Sequence, residues 1–246
     1  MKRQLRSEFL KQRTTRTTGG MAAAMLGLVL VAIALHGLGL PAARVTAGAD
    51  QLGIFIDVGG NLGSLFAALV GAMAITGEVR YGTIRPTLLA TPQRGRVLAA
   101  KSLVAVLVGV TFGALATALA GAAGSLFLDL RGITVDLSAG DYVLLVAGGA
   151  AAAALWSVIG LAVGSVVRSQ VPTVVGIVVW LLFVENILIA SIPRVGKFAP
   201  GALARAVEGS TNATLHSPAL GVALLMLYAA GALAVGWRAT TRRDFT

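Results

Sequence analysis

Six apolar segments, separated by short polar breaks, run along the chain. Stretches without Lys, Arg, Asp or Glu cover 17–43, 58–77, 102–128, 142–167, 169–184 and 209–237. A helix needs about 20 apolar residues to cross the hydrocarbon layer of a bilayer. All but one reach that length unaided, and 169–184 continues past Glu185 as an apolar run to Ile192. The pattern therefore predicts an all-α integral membrane protein with six membrane-spanning helices.

The division between the fourth and fifth spans depends on a polar break, Arg168-Ser169-Gln170. Pro172 follows this break, and proline is tolerated in the first turn of a helix. The break therefore predicts the start of a new helix. Within a single transmembrane domain of residues 1–246, we expect spans at about 19–41, 58–78, 97–127, 142–167, 171–192 and 217–238.

The composition agrees with a membrane environment. The chain is 57% hydrophobic and only 12% charged, whereas a soluble domain carries about twice that charged fraction. It has no cysteine, which excludes disulfides, thiolate metal sites and cysteine nucleophiles.

The net charge of +10 is unevenly distributed. Fifteen Lys and Arg residues fall in the N-terminal segment, the second loop, the break at Arg168 and the C-terminal tail, and five fall on the other side. The positive-inside rule then places the chain in the cell membrane with both termini in the cytoplasm. The basic excess is a topology signal, part of which can bind anionic membrane lipid. It does not indicate a nucleic-acid partner.

Residues 2–16 carry six bases, with Leu5, Phe9 and Leu10 grouped at helical spacing. This pattern predicts an amphipathic helix on the inner leaflet; the alternative is a disordered basic tail. The apolar run that follows is far longer than the core of a signal peptide, which favours a retained first helix over a cleaved leader.

Segment 193–216 contains Pro193 and Pro200-Gly201 around a mildly apolar stretch. It is too short to cross the membrane twice as helix. We therefore expect an external re-entrant segment of short helices before the last span, with its unpaired backbone shielded by protein.

Glycine pairs at a spacing of four permit close helix contact, but in so Gly-rich a chain they indicate tight packing without locating an interface. They occur at Gly59/Gly63, Gly109/Gly113 and Gly160/Gly164.

Motifs for catalysis are absent from the sequence. Gly196-Lys197-Phe198 lacks the Ser or Thr of a phosphate-binding loop, so the chain is not expected to hydrolyse nucleotide alone. His36 and His216 have no acidic partners at metal-ligand spacing. An intramembrane serine hydrolase is a weaker alternative, because Ser125 and Ser165 follow glycines but His216 begins its span too early for a dyad.

The segment between the second and third spans has a distinctive pattern. Gly82 is expected to break the descending helix, and Pro86 to force Arg85 away from helical geometry. Thr91-Pro92 is a good helix start, an N-cap followed by a proline at the first helical position. Residues 78–94 therefore form a compact basic elbow, and three of its apolar side chains are available to fill a partner's groove: Ile84, Leu88 and Leu89.

This elbow resembles the cytoplasmic loop of ABC-2 type permeases, the membrane subunits of a class of ATP-binding-cassette exporters. An acid, an aromatic, Gly-Thr and then Thr-Pro and Arg recur there in this order. The matching residues are Glu78, Tyr81, Gly82, Thr83, Thr91, Pro92 and Arg94. Other features are also similar to this family: the chain length, the six spans, the basic N-terminal helix and the external segment before the last span. The resemblance therefore covers nearly the whole chain.

The resemblance implies that two membrane subunits pair, either as a homodimer or with a related permease. Two copies of a separate ATPase subunit, which binds ATP and Mg, would dock below them, so this chain would carry no cofactor and no enzymatic activity. The elbow would be the coupling helix, with Arg80 and Arg85 in its basic surface and Arg168 as a second contact. The alternative is that the elbow only anchors the topology.

The apolar, Gly-rich spans favour a hydrophobic or amphipathic cargo such as a drug, lipid or peptide. A non-transport membrane component, such as a sensor or resistance factor, remains the alternative from another functional class.

Glu185 is an acid inside a span, where a carboxylate must be paired, protonated or facing a cavity. With Asn186 beside it, it could line a cavity at the subunit interface and contact cargo. It could instead anchor the re-entrant segment through Arg194 or through freed backbone groups. The anchoring interpretation is favoured, because ABC-2 permeases commonly have an acid here whatever their cargo.

Overall fold

The computed structural model describes residues 2–39, 48–90, 93–209 and 215–242. Within these ranges every regular element is helical. Six helices are long and apolar enough to cross a membrane. The predicted all-α fold and the number of helices of membrane-spanning length are thereby confirmed.

The helices divide into two groups around a sharp turn. The first group is α1 (Lys2–Thr14), α2 (Arg16–Gly39), α3 (Gly48–Arg80), α4 (Ile84–Ala90), α5 (Arg94–Asp129) and α6 (Ala139–Val167). The second is α7 (Gln170–Val179), a π-helical turn (Trp180–Val184), α8 (Glu185–Ser191), α9 (Pro193–Gly196), α10 (Pro200–Val207) and α11 (Pro218–Arg242). Together α7, the π-helical turn and α8 form the fifth apolar span.

Local signals explain several boundaries. The Ser138 side chain accepts a hydrogen bond from the Asp141 N–H, and the Asp141 carboxylate accepts one from the Ser138 N–H, so this capping box starts α6. Arg168 ends α6 with a φ of 58°, in the left-handed region. Pro172 lies in the first turn of α7.

Helix α3 begins at Gly48, about ten residues before the predicted span. Asp57, which lies just before the predicted span at 58–78, is inside this helix. A carboxylate interrupts an apolar run without interrupting helical geometry, so hydropathy alone misplaced the start of the helix.

The centre of the fold is a three-helix bundle of α3, α5 and α6. Its backbones touch: a Cβ added to Gly160 would lie 2.0 Å from the Ala68 carbonyl oxygen, and one added to Gly71 would lie 2.0 Å from that of Ser157. Only glycine allows such an approach. All three Gly-x-x-x-Gly pairs face a neighbouring helix, which their frequency in the sequence could not show.

The outer helices surround this bundle and leave apolar surface uncovered. Helix α2 packs on α3 and α5, α7 on α3 and α6, and α11 on α6 and α10. Their outward faces expose large side chains, including Leu35 (67%), Val171 (68%) and Leu227 (69%). Apolar surface of this extent requires lipid or another protein chain against it.

Candidate functional site

The elbow, residues 78–94, turns at a single glycine. Helix α3 ends at Arg80, Gly82 has a φ of 70°, and α4 begins at Ile84. A left-handed φ costs a residue with a side chain about 1–2 kcal/mol. The turn from α3 into α4 therefore depends on Gly82.

The expectation for Pro86 is wrong. Helix α4 runs through both Arg85 and Pro86. Pro86 is the third residue of this helix, where its missing N–H leaves no intrahelical hydrogen bond unmade. Thr91 and Pro92, the predicted start of the next helix, lie outside the described residues, and α5 is described from Arg94.

Among the described side chains of the elbow, two large apolar ones point outward. Tyr81 is 74% exposed and Leu89 is 83% exposed. Ile84 is only 6% exposed, so this chain buries it and it is not available to a partner as predicted. The side chains of Arg85 and Leu88 lie outside what the structure describes.

Arg80 and Thr83 support the turn from either side. The Arg80 guanidinium donates to the Gln170 side chain at 3.2 Å and lies 5.6 Å from the centre of the Tyr81 ring. The Thr83 carbonyl accepts from the Thr87 N–H and hydroxyl, closing the first turn of α4. Arg80 therefore contacts both the exposed Tyr81 ring and the start of α7.

Glu78, the first residue of the elbow, turns inward. Its Oε1 accepts from Lys11 at 2.7 Å and from Lys101 at 2.8 Å. Glu8 also binds both lysines, each at 2.8 Å. The charge cluster of Glu8, Lys11, Glu78 and Lys101 thus joins α1 to the end of α3 and to α5.

Lys101 is the most deeply buried member of the charge cluster, with a side chain 2% exposed. Its ammonium has three donors, and they meet Glu8, Glu78 and the Ala74 carbonyl oxygen at 3.0 Å. The sequence did not predict the cluster, because the acids that pair with Lys101 lie far from it in the chain. The available signal was Glu8, an isolated acid within the basic N-terminal segment.

Lys11 is held in its charged form. Burial lowers its pKa, but hydrogen bonds and charge from Glu78 and Glu8 outweigh burial, so the pKa is raised from its ordinary value. Lys11 remains an ammonium at every pH near neutrality.

Arg94 and Arg168, both predicted to contact the ATPase subunit, converge on the end of α11. Arg168 donates to the Ala239 carbonyl at 2.7 Å, and Arg94 donates to that of Thr240 at 3.3 Å. The last carbonyls of a helix lack intrahelical donors and carry partial negative charge. The two arginines therefore link the elbow and the turn after α6 to the last span.

Glu185 lies at the opposite end of the bundle and is 1% exposed. It accepts hydrogen bonds from the Gly201 N–H, in the first turn of α10, and from the Trp180 indole. The π-helical turn brings Trp180 and Glu185 onto one face. Glu185 thus contacts freed backbone of segment 193–216, as the anchoring interpretation requires.

Arg205 of α10 provides the charge beside Glu185. It donates to the Asn186 Oδ1 at 2.7 Å. The sequence suggests Arg194, not Arg205, as the cation that pairs with Glu185. One helical turn of α10 separates Gly201 from Arg205, so the Glu185–Asn186 pair holds α10 at two points.

Glu208, which follows α10, is a buried acid that sequence reasoning placed in an external loop. It is 1% exposed, and its Oε1 accepts from the Ser64 hydroxyl of α3 at 3.1 Å. A Cβ on Gly60 would lie 2.5 Å from its carboxyl group. Small residues one turn apart on α3, Gly60 and Ser64, were the only sequence signal for this contact.

The described histidines and serines do not form a catalytic pair. The Ser125 and Ser165 hydroxyls donate to backbone carbonyls, both at 2.7 Å, while His36 and His216 pack on phenylalanine rings. Among the residues that the structure describes, no cluster of His, Cys, Asp and Glu is placed to hold a metal ion.

No protein-family model matches this chain, and no curated protein matches it.

Proposed function

We propose that this chain is the membrane-spanning permease subunit of an ABC-2 type, ATP-driven exporter. It lies in the cell membrane with both termini in the cytoplasm and carries a hydrophobic or amphipathic cargo. A separate ATPase subunit, in two copies, binds ATP and Mg and supplies the hydrolysis that this chain lacks.

The observation that carries the proposal is the exposed elbow. Tyr81 and Leu89 are among its most exposed residues, although both are large and apolar. The Gly82 turn and the buried Ile84 fix the elbow to the bundle. A basic anchor would need charge alone, whereas an ordered turn that presents apolar side chains is suited to a protein cleft.

The links from the elbow to the bundle support a mechanical role. Glu78 ties the elbow to α1 and α5, and Arg94 ties it to the end of α11. A displacement of the elbow by an ATPase subunit would therefore pass to several spans at once. The second membrane subunit, a copy or a related permease, would cover part of the apolar outer surface.

A membrane sensor or resistance factor is the second candidate, since it could use the same six spans without an ATPase. Co-expression with a candidate ATP-binding-cassette ATPase subunit separates the two. Leu89→Ser should lower ATPase recovery on purification of this chain, whereas Leu130→Ser should not. Leu130 is similarly exposed, at 78% against 83%, but lies at the other end of α5.

Failure of any ATPase to co-purify with the wild-type chain would favour the sensor. Equal recovery with both variants would show that the elbow is not the docking surface.

A further inference from the structure

Glu208 is buried where the end of α10 meets two helices of the central bundle. It lies between the fifth and sixth apolar spans in the sequence. A Cβ added to Gly60 of α3 would lie 2.5 Å from its carboxyl carbon, and one added to Gly148 of α6 would lie 3.2 Å from its Cα. The residue is 1% exposed. Both helices therefore meet Glu208 at a glycine, and its carboxyl group is closed off from solvent.

The two carboxyl oxygens of Glu208 have different surroundings. Its Oε1 accepts from the Ser64 hydroxyl at 3.1 Å, whereas its Oε2 is buried and has no donor among the described residues. A Cβ on Gly60 would lie 2.5 Å from Oε2 and 3.0 Å from Oε1. A buried carboxylate oxygen without a donor is costly. A proton on Oε2 would remove the charge, and it needs no more space than the oxygen already has.

Asp57 brings a second carboxyl group to the same face of α3. Asp57, Gly60 and Ser64 are separated by three and four residues within this helix, and such spacing places side chains along one face. The charge of Asp57 acts unfavourably on Glu208. Two neighbouring carboxyl groups cannot both ionise at low cost, so one of them retains its proton.

Arg205 on α10 is shared between two buried acids. Its charge acts favourably on both Glu185 and Glu208, and its guanidinium donates to Asn186 at 2.7 Å. Glu185 accepts two hydrogen bonds, whereas Glu208 accepts one among the described residues. Helix α6 meets Glu208 at Gly148, which carries no charge. Of the two acids beside Arg205, Glu208 is therefore the one suited to hold a proton.

We propose that Glu208, paired with Asp57, is a proton-binding site that controls the docking of the end of α10 between α3 and α6. With the proton on Oε2, the neutral carboxyl group stays buried and Oε1 accepts from Ser64. When the proton passes to water, a buried carboxylate is left beside Asp57. The end of α10 then moves away from both helices, while its start stays bonded to Glu185. The site involves neither the elbow nor the proposed ATPase subunit.

The pH range of this change follows from the surroundings of Glu208. Burial and then the charge of Asp57 raise its pKa to about 8, although the Ser64 hydrogen bond and Arg205 act in the opposite direction. The ordinary pKa of this carboxyl group is 4.5. The docked form therefore keeps its proton at pH values where the released form has lost it. Docking is strongest below about pH 4.5, weakens roughly tenfold per pH unit up to about pH 8, and is constant above that.

Hydrogen exchange of the α10 amides in the detergent-purified chain measures this release. Helix α10 has eight residues, too few to remain helical without packing, so its release exposes its amides. Dividing each rate by that of α7 at the same pH cancels the intrinsic pH dependence of exchange. Between about pH 6 and pH 8 the wild-type ratio should rise roughly tenfold per pH unit.

Glu208→Gln should show a low ratio that does not change with pH. Its side chain is neutral at every pH, and its oxygen can still accept from Ser64. Asp136→Asn is the matched control, because it removes the charge of an exposed carboxylate. This control should retain the wild-type dependence on pH. Asp57→Asn should lower the pH at which the ratio stops rising, because it removes the charge that opposes ionisation of Glu208.

A wild-type ratio independent of pH would overturn the proposal, as would a Glu208→Gln ratio that rises as steeply as that of the wild type. If Glu208→Gln does not fold, Asp57→Asn provides the test. A ratio that stops rising at the same pH in Asp57→Asn and in the wild type would overturn the pairing of the two acids.

Discussion

The ammonium of Lys101 lies 2.8 Å from a carboxylate oxygen of Glu8, although 93 residues separate them in the sequence. Both side chains are almost fully buried. The pair holds the N-terminal helix against the third long helix at the elbow end of the bundle. Removing either partner leaves the other charge buried and poorly compensated.

We therefore expect Lys101→Met to destabilise the chain by about 3–5 kcal/mol, the usual cost of breaking a buried ion pair. The double variant Lys101→Met with Glu8→Met should recover part of this loss, because it removes both charges. Thermal unfolding in one detergent would measure both variants. A single variant as stable as wild type would show that the pair contributes nothing to the attachment of α1.

The left-handed φ of Gly82 predicts different effects for two substitutions at this position. Gly82→Val should disrupt the elbow, because a β-branched residue tolerates a left-handed φ poorly, whereas Gly82→Asn should retain it. An added Cβ meets no neighbour there, so only the backbone is tested. ATPase activity measured together with transport in reconstituted vesicles should show uncoupling in the valine variant alone. Identical behaviour of the two variants would contradict a requirement for the left-handed turn.

Arg168 combines a left-handed backbone with a side chain on the end of α11. Arg168→Gly remains compatible with the left-handed backbone conformation and removes the side chain that carries the guanidinium. The interaction of a cation with a helix C-terminus is worth roughly 0.3–2 kcal/mol. Hydrogen exchange at the last turn of α11 should therefore accelerate by up to about thirtyfold, with no change near Gly160. Unchanged exchange at that turn would show that the contact does not stabilise the helix end.

Glu185 holds α10 by accepting a hydrogen bond. A neutral side chain with an oxygen atom could accept the same bond. Glu185→Gln should destabilise the chain less than Glu185→Leu, because its single amide oxygen can still accept from the Gly201 N–H, although the Trp180 indole then loses its acceptor. Glu185→Leu should cost about 1–3 kcal/mol, because it leaves that buried N–H unpaired. Thermal unfolding compares the two variants. If Glu185→Gln folds but transports poorly, the carboxylate also contacts cargo.

Because the helix backbones touch in the central bundle, adding one methyl group should change stability by an amount that depends on its position. Gly160→Ala should destabilise the chain by roughly 1–3 kcal/mol, because its Cβ would overlap the carbonyl of Ala68. Gly176→Ala in α7 has open space and should be neutral or slightly stabilising. The yield of monodisperse protein and its unfolding temperature would distinguish these outcomes.

The spans were predictable because hydropathy depends on consecutive residues. Each apolar run can be recognised without knowing which other helices it contacts. The turn at Gly82 was equally predictable from the sequence, since a glycine between a charged helix end and Thr83 indicates a turn. Pro86 was misjudged because its effect depends on its position relative to the start of a helix, which the sequence did not show.

The contacts among distant residues could not be predicted. Lys101, Glu208 and Arg94 each have a partner on another helix, far away in the sequence. Pairing depends on which helix faces meet. In this chain the helix faces that meet are those whose glycines let two backbones touch. Glycine is too frequent in the sequence for its pattern to identify these faces.

The attachment of α1 also has a consequence for the order in which the protein is made. Glu8 and Lys11 leave the ribosome first, but their partners Glu78 and Lys101 follow only after the second span and at the start of the third. Chains emerge from the N-terminus at a limited rate. Glu8 can pair with Lys11 at once, within its own helix, but α1 can bind α3 and α5 only after the second span and the start of the third have been synthesised. The docked position of α1 therefore forms late, although α1 is made before every span.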